Sequence, residues 1–538
     1  MSSSIGNAPV RKVLLAPKWK VLISVVFGLF MIFLDTTVVN VAFPTLRREF
    51  DASLADSQWV LSVYVLALGI STPVAGFLAD RFGIKRIYLG GLALFVLGSI
   101  LCGVAPNLGL LIAARTLQGL GGGIAIPLGA PQLFRAFPPR EQGTALGFFG
   151  IAVATAPALG LILGGWLIDQ NLWRWVFFIN VPIGLLGVTL GSRFLLDWRS
   201  ERTPQLDLLG LLTSIIGFGA LLYAASIAEA RGWTSPAVLT WFGIGAVGVA
   251  AFAAIELFVA KEPMLDLRLF RSRTFLIANL VGYVSVVALF GAEFLLPLYL
   301  QALRGRTALE TGLILLPLAG ALAVGMPLAG RIYDRTGPRP LLIVGYGLLL
   351  LNTWQLSRLQ ADTPISWILV LLALRGLAGG LTVQTTFVTA LSVVPQRLLP
   401  RGSSLVNSTR QVVQAIGVAV LATVLVSTLS PEVRQAQAQP QEAQRVSNAP
   451  QPGLCEPAST AGAIVVSAPS GGPPERQAVA DPSLRQQACV ENVAGFERTY
   501  QLTFYAALLA LGLGALLPGW PFAWAGRRAA DAPAAPAH

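Results

Sequence analysis

The chain has 538 residues, of which 54% are hydrophobic and only 12% are charged, and its formal net charge is +12. Soluble domains carry roughly 25% charged residues, so this composition, with a mean hydropathy of +0.68, excludes a water-soluble globular protein. The positive charge does not indicate nucleic-acid binding, because Lys and Arg lie mainly in alternate loops between apolar runs, as the positive-inside rule predicts for a membrane protein.

Apolar runs of about 20 residues, the length that spans a bilayer as a helix, predict an all-α membrane protein with fourteen transmembrane helices. The loop charges predict that both termini are cytoplasmic, and we expect a multi-pass monomer in the cell inner (plasma) membrane. The first run is too long for a cleaved signal peptide. The predicted helices lie near 20–43, 56–79, 87–105, 108–130, 143–168, 175–196, 207–228, 238–260, 275–301, 309–330, 339–357, 366–391, 404–428 and 500–522.

The first predicted helix carries a single carboxylate, Asp35. A charged side chain at the centre of a membrane helix costs about 2.5–3.5 kcal/mol on insertion scales, and such residues mark ion, proton or substrate pathways. We therefore predict that Asp35 couples protons to transport and contacts substrate. In the alternative interpretation, Asp35 has no role in transport and only forms hydrogen bonds with backbone groups beside Thr36 and Thr37.

The second predicted helix ends in a segment rich in glycine and charge, 76–86, that recurs at 330–339. Glycine permits a close backbone approach and a tight turn. Asp80 could pair with Arg81, with Lys85, or with a basic residue or helix terminus of the other half. We predict a charge cluster that locks one conformation; the alternative is that these charges only fix the topology. The predicted gating residues are Gly76, Asp80, Arg81, Gly83, Lys85, Arg86, Asp334, Arg335 and Arg339.

The fourth predicted helix contains Arg115, at a depth similar to that of Asp35 when both are counted from the outer helix ends. Arg115, Gln118 and Gly119 share one face of the helix. A nearby arginine favours the charged form of a buried acid. Separation of the pair could therefore switch Asp35 between proton release and proton uptake; the alternative is a structural ion pair.

The ninth predicted helix contains a second acid, Glu293, flanked by aromatic side chains. Buried negative charge within an aromatic wall suits lipophilic cations, and Arg375, which repeats the position of Arg115, could pair with this acid. The alternative is a tolerated glutamate among core or lipid-facing aromatics. Glu229 and Glu256 lie near helix ends, where we expect their side chains to snorkel. The predicted substrate-binding residues are Asp35, Glu293, Phe290, Phe294, Tyr299, Gln301 and Tyr64.

Residues 431–497 are rich in Pro, Gln, Ala and Ser and predict a long, mostly disordered extracytoplasmic loop. Cys455 and Cys489 fall in this loop, in an oxidising compartment where a disulfide could persist; two free thiols are the alternative. Cys102 lies in an apolar helix, where we expect simple packing. The only histidine is His538 and the sequence shows no cluster of metal ligands, so we expect no metal site.

Three features recur at spacings of 254 to 260 residues: the loop motif, the intramembrane acid and an Arg-x-x-x-Gly pattern. The recurrence predicts two homologous six-helix bundles related by pseudo-two-fold symmetry, an architecture of alternating-access transporters. The predicted division is 1–200 for the N-terminal bundle, 201–265 for two inserted linker helices, 266–525 for the C-terminal bundle with its long loop, and 526–538 for a disordered cytoplasmic tail.

The loop at 76–86, with the pattern G-x-L-x-D-R-x-G-x-K, resembles the signature loop of the major facilitator superfamily. The segments LDTTVVNVA at 34–42, RTLQG at 115–119, WRWVFFINVP at 173–182 and YLQ at 299–301 resemble motifs of its fourteen-helix drug:proton antiporter branch. The resemblance covers 20–428 and 500–522. It implies the major facilitator fold and a role for Arg115 in proton transfer.

Residues 150–165 resemble the fifth-helix antiporter motif of that branch, but the sequence departs from it twice. Members usually have Gly where this chain has Ala156, and often Pro where it has Leu161. A small-residue face with a proline kink suits close packing and bending, and packing alone is the alternative to an antiport role. The motif residues are Gly150, Pro157, Gly160, Gly164 and Gly165.

Together these features predict a proton-coupled exporter of amphipathic, cationic compounds that works by alternating access. The sequence contains no Walker-type phosphate loop and no Ser/His/Asp arrangement, so we predict a secondary carrier and not an enzyme. We expect the proton as coupling ion, no cofactor, and as partners the lipid bilayer and small amphipathic substrates. The alternatives are export of an endogenous lipid, siderophore or metabolite, and a non-transporting membrane scaffold or sensor.

Overall fold

A computed structural model describes residues 16–198, 207–260, 262–360, 362–430, 433, 455 and 482–519. Within these ranges every regular element is helical. The predicted C-terminal tail and most of the predicted loop lie outside the described residues.

The described ranges contain fourteen long helices, connected mostly by short loops. They are α1 Pro17–Glu49, α2 Leu54–Phe82, α3 Ile84–Gly103, α4 Leu108–Ala136, α5 Gln142–Asp169, α6 Asn180–Phe194, α7 Leu208–Arg231, α8 Pro236–Ala254, α9 Arg273–Leu298, α10 Ala308–Thr336, α11 Pro338–Leu356, α12 Ile365–Ser392, α13 Leu399–Ser427 and α14 Pro482–Ala515. Short π-helical turns, Ile255–Val259 and Tyr299–Leu303, extend α8 and α9.

Eleven candidate spans in the described residues are long and apolar enough to cross a membrane. The all-α membrane fold predicted from the sequence is therefore confirmed, whereas the number of fourteen spans stays a prediction.

Local sequence signals set the helix boundaries. Ser53 and Asn107 accept hydrogen bonds from backbone N–H groups in the first turns of α2 and α4, and Thr307 forms a reciprocal capping box with Glu310 at the start of α10. Gly83, with a φ of 100°, ends α2, because few other residues adopt this left-handed conformation. The next helix starts directly after this glycine, which keeps the predicted gating loop very short.

Helices α1 to α4 and α6 pack mainly on one another, and so do α9, α11, α12 and α14, whereas α5, α10 and α13 each pack about as extensively on the other group as on their own. These two groups meet along α5 with α10 and along α2 with α13. Helices α7 and α8 pack as a hairpin through Gly217 and Gly248, and α7 lies against both α2 and α13. We retain the domain boundaries at 200 and 265 as a proposal.

The last helix begins earlier than the sequence indicates. Residues 482–497, predicted as loop, form the first turns of α14, and Cys489 on this helix is bonded to Cys455. The Ser430 N–H and then the Gln487 side chain donate to the Glu491 carboxylate and lower its pKa. These contacts hold the start of α14 against the end of α13. The polar composition that predicted a disordered loop is thus compatible with a helix fixed by tertiary contacts.

Candidate functional site

The centre of the N-terminal helix group contains a fully buried ion pair. Asp35 on α1 has no exposed surface, and its Oδ2 accepts a hydrogen bond from Arg115 Nη1 on α4 at 2.6 Å. A buried charge is tolerated only when its partner and its remaining hydrogen-bonding atoms are satisfied. The two intramembrane charges that the sequence placed at similar depth are therefore in direct contact.

Two amides complete the surroundings of the Asp35 carboxylate. Its Oδ1 accepts from Gln118 Nε2 on α4 at 3.1 Å and from Asn180 Nδ2 at the start of α6 at 2.7 Å. Gln118 also donates to Ser99 Oγ on α3 at 2.6 Å. Side chains from four helices thus form one network, which we call the Asp35 network: Asp35, Ser99, Arg115, Gln118 and Asn180.

Sequence reasoning did not assign Asn180 to the site, although it lies within the motif at 173–182. The available signal was a lone amide at the start of an otherwise apolar helix. Such a side chain, when buried, needs a partner. Only the packing of α6 on α1 identifies that partner as Asp35.

Arg115 is also held by α2. Its Nε donates to the Val60 carbonyl at 3.1 Å, and its guanidinium lies 4.1 Å from the centre of the Tyr64 ring. Tyr64, predicted as a substrate-binding residue, is buried beneath this arginine. A Cβ at Gly119 would lie 2.5 Å from the Tyr64 carbonyl, so the glycine allows the approach of α4 to α2 that this geometry needs.

Helix α5, which carries the predicted antiporter motif, contacts α1 beside Asp35 and α10 of the other helix group. A Cβ at Gly160 would overlap Thr37 Oγ1 and lie 3.0 Å from the Leu34 carbonyl. Towards the start of α5, a Cβ at Gly147 would lie 2.6 Å from the Met326 carbonyl on α10. Small residues thus let α5 approach both neighbours closely.

The remaining motif residues are placed as follows. Gly150 also faces Met326 on α10, Gly164 faces Val38 on α1, and Gly165 lies near Leu309 of α10 with ordinary spacing. Pro157 lies inside α5 between the two contact regions.

The first predicted gating segment meets the start of α13. Arg401 Nε donates to Asp80 Oδ2 at 2.5 Å, and a Cβ at Gly76 would lie 2.7 Å from the Pro400 carbonyl. Of the three kinds of partner considered for Asp80, the structure shows a basic residue of the other helix group. Arg135 reinforces the contact by donating to the Gln396 carbonyl at 3.1 Å.

The second gating segment makes an equivalent contact with the start of α5. The Asp334 carboxylate accepts from the backbone N–H groups of Gly143 and Thr144 at 2.8 and 2.9 Å, and from Thr144 Oγ1 at 2.6 Å. An acid at a helix N-terminus is stabilised by the unpaired N–H groups and the helix dipole. The two repeats of the motif therefore close the same side of the molecule at two junctions.

The other predicted gating residues surround these junctions. Gly83 leaves room for Asp197, with which Arg86 pairs at 3.3 Å. Arg81 lies in the last turn of α2 and Lys85 in the first turn of α3. Arg335 is exposed at the end of α10, and Arg339 is the second residue of α11.

In the second helix group, Arg375 is buried and reaches α9. It donates to the carbonyls of Ala288 and Leu289 at 2.6 and 2.9 Å, and to Asn352 Oδ1 at 3.2 Å. These carbonyls lie about one turn before position 293. The side chains of 290–294 lie outside the described residues, so the predicted roles of Phe290, Glu293 and Phe294, and the pairing of Arg375 with Glu293, stay predictions.

Two predicted substrate-binding residues, Tyr299 and Gln301, lie away from the Asp35 network, and Glu256 is not placed as the sequence predicted. Tyr299 is buried in a separate apolar cluster with Phe496, and its hydroxyl donates to the Gln360 carbonyl at 2.6 Å. Gln301 is exposed. The snorkelling prediction is wrong for Glu256, which is buried because its carboxylate accepts the backbone N–H groups of Met264 and Leu265. The Glu229 side chain lies outside the described residues.

Residues 25–418 match the Major Facilitator Superfamily, and the chain belongs to this superfamily. It is a membrane transporter and not an enzyme.

Its relatives include an uncharacterized MFS-type transporter, YhcA, of Bacillus subtilis, 37% identical over 75% of this chain and 76% of the relative. A multidrug resistance protein B homolog of Mycobacterium tuberculosis is 34% identical over 73% of this chain and 74% of the relative. The crystal structure of the human organic anion transporter MFSD10 matches with a TM-score of 0.56 and 13% identity, covering 91% of this chain and all of that chain. This last likeness supports the fold alone.

Proposed function

We propose that the protein is a proton-coupled exporter of amphipathic compounds, that is, a drug:proton antiporter working by alternating access. The observation that carries the proposal is the Asp35 network. It holds an acid and a base in contact inside the N-terminal helix group, away from water and lipid.

The network supplies a means of proton exchange. While the helices are in contact, Arg115 and the two amides bind both oxygens of the Asp35 carboxylate. In this proposal, separation of α1 and α4 breaks these contacts and lets the carboxylate take up a proton, and reformation of the contacts expels it. Inward proton movement supplies about 2.3 kcal/mol per charge at 100 mV.

Helix α5 offers a route from this exchange to the rest of the molecule. It packs against α1 next to Asp35 and against α10 at the junction with Asp334. A shift of α1 on protonation therefore alters the contact between the helix groups. The Asp80 and Asp334 junctions keep the predicted cytoplasmic side closed, and they must open for substrate to enter from that side.

The substrate class is supported by the relatives, some of which are named as multidrug resistance proteins. Export of varied amphipathic compounds is the proposal that fits these names. The expected preference for cations rests on Glu293 and stays a prediction.

The test is proton-driven efflux in liposomes with an imposed pH gradient, measured for wild type and Asp35→Asn. We expect the variant to fold and to lose pH-driven efflux of cationic dyes. Asp169→Asn is the matched control, because Asp169 is exposed at the end of α5. If Asp35→Asn pumps dye at the wild-type rate under the same gradient, Asp35 does not couple protons to transport.

A further inference from the structure

A pocket of about 250 Å³ lies at the end of α8 on the predicted cytoplasmic side, outside the Asp35 network and the two junctions. It is lined by Leu257 and Phe258 of the π-helical turn and by Arg268 and Arg271 of the linker to α9. The pocket thus combines two guanidinium groups with an apolar wall.

The apolar wall continues onto the outer surface of the protein. Phe258 is 84% exposed and the neighbouring Val259 is 64% exposed. Large exposed apolar side chains at the end of a membrane helix face lipid. The two arginines follow this apolar helix end in the chain, where we expect the lipid headgroups.

The linker that carries the arginines is fixed in place. The buried Glu256 Oε1 accepts from the N–H groups of Met264 and Leu265 at 3.0 and 3.2 Å. Arg401, which binds Asp80, also donates from Nη1 to the Pro263 carbonyl at 2.7 Å. These contacts fix the backbone at the start of the linker, and they do not involve its two arginines.

The chemistry of the pocket selects its occupant. Guanidinium groups match phosphate oxygens in charge and in fork geometry, and an exposed aromatic beside them suits an acyl chain. Basic pockets at the cytoplasmic surface of membrane proteins attract anionic headgroups. We propose that this pocket binds the phosphate of an anionic phospholipid of the inner leaflet, with an acyl chain against Phe258.

The test is thermal unfolding of the purified full-length protein in detergent with added phosphatidylglycerol or phosphatidylcholine. Because a ligand that binds only the native state raises its stability, we expect phosphatidylglycerol to raise the melting temperature of wild type by several degrees. The rise should be lost in the double variant R268Q/R271Q. The control R193Q/R397Q removes two exposed arginines of the same predicted side and should keep the rise. If R268Q/R271Q does not fold, R268K/R271K carries the test, because lysine keeps the charge but lacks the bidentate fork.

Three results would overturn the proposal. The arginine variants could keep the full rise, which would place lipid binding elsewhere. Phosphatidylcholine could act as strongly as phosphatidylglycerol, which would remove the role of headgroup charge. Inorganic phosphate or glycerol phosphate could reproduce the shift without lipid, which would make this a site for soluble anions.

Discussion

Asp35 accepts hydrogen bonds from three side chains, Arg115, Gln118 and Asn180, which come from two different helices. Each bond to a charged group contributes about 1.5–3 kcal/mol. At the scale of single residues, these three bonds therefore hold the buried carboxylate in place and satisfy both of its oxygens. The amides act on the same oxygen, opposite the one that binds the arginine.

Asn180→Ala removes one of the three hydrogen-bond donors to the buried Asp35 carboxylate. We expect a stability loss of about 1.5–3 kcal/mol and slower pH-driven efflux, because the contacts that hold the carboxylate in place are incomplete. The measurements are the efflux rate under an imposed pH gradient and the melting temperature. Asn492→Ala is the control, since Asn492 donates to a backbone carbonyl on α14 instead. Efflux at the wild-type rate by Asn180→Ala would argue against a role for this amide in transport.

The contact between Asp35 and Arg115 could be predicted from the sequence, because intramembrane charges at equal depth must find partners. The role of Asn180 could not, since it depends on how α6 packs against α1. Likewise, several basic residues could have bound Asp80. Its partner Arg401 lies 321 positions away in the chain, and only the assembly of the two helix groups selects it.

At the scale of elements, α5 connects the acid-bearing helix with the other helix group. Its small residues allow contact with α1 near one end and with α10 near the other. The sequence indicated a bending and packing helix but not its two neighbours. The motif departures at Ala156 and Leu161 leave the glycines at both contact regions intact.

Gly160→Ala should disturb this connection. The added methyl group would overlap Thr37 and crowd the Leu34 carbonyl, which flank Asp35. We expect a destabilisation of about 1–3 kcal/mol, typical of overpacking, and slower efflux. Both quantities are measured against Gly165→Ala, where the nearest atom would be 3.9 Å from the new Cβ. Equal behaviour of the two variants would contradict a specific contact between α5 and α1.

Helix α14 shows that local amino-acid composition alone does not predict where a helix begins. The sequence of 482–497 is polar and was predicted as loop, yet Glu491 bonds to Ser430 and Cys489 is bonded to Cys455. Tertiary contacts of this kind override local propensity. These contacts cannot be predicted from the sequence, because they depend on how the ends of α13 and α14 pack together.

At the scale of the whole molecule, the two repeats of the gating motif form two junctions on one side of the membrane domain. Asp80 binds the Arg401 side chain, whereas Asp334 binds the N-terminus of α5. The repeat in the sequence predicted that the two segments act alike. The structure shows that both segments contact the other helix group but bind different donors there.

A double-mutant cycle with Asp80→Asn and Arg401→Gln tests the first junction. We expect a coupling free energy of about 0.5–3 kcal/mol and faster amide hydrogen exchange at the facing ends of α2 and α13. The exposed pair Asp197 and Arg86, 3.3 Å apart, serves as control. Its coupling should be about 1 kcal/mol or less. If the coupling free energy between Asp80 and Arg401 is no larger than that of this surface pair, the predicted gating role of the junction is wrong.

The proposed role of Asp35 is tested most directly by measuring proton release instead of drug transport. A dye that the wild-type protein transports is added to purified protein in weakly buffered detergent solution, and proton release is recorded with a pH indicator. We predict that dye binding releases protons from the wild-type protein and none from Asp35→Asn, with binding verified in both by fluorescence. Equal proton release from the two proteins would contradict the assignment of Asp35 as the proton-exchanging group.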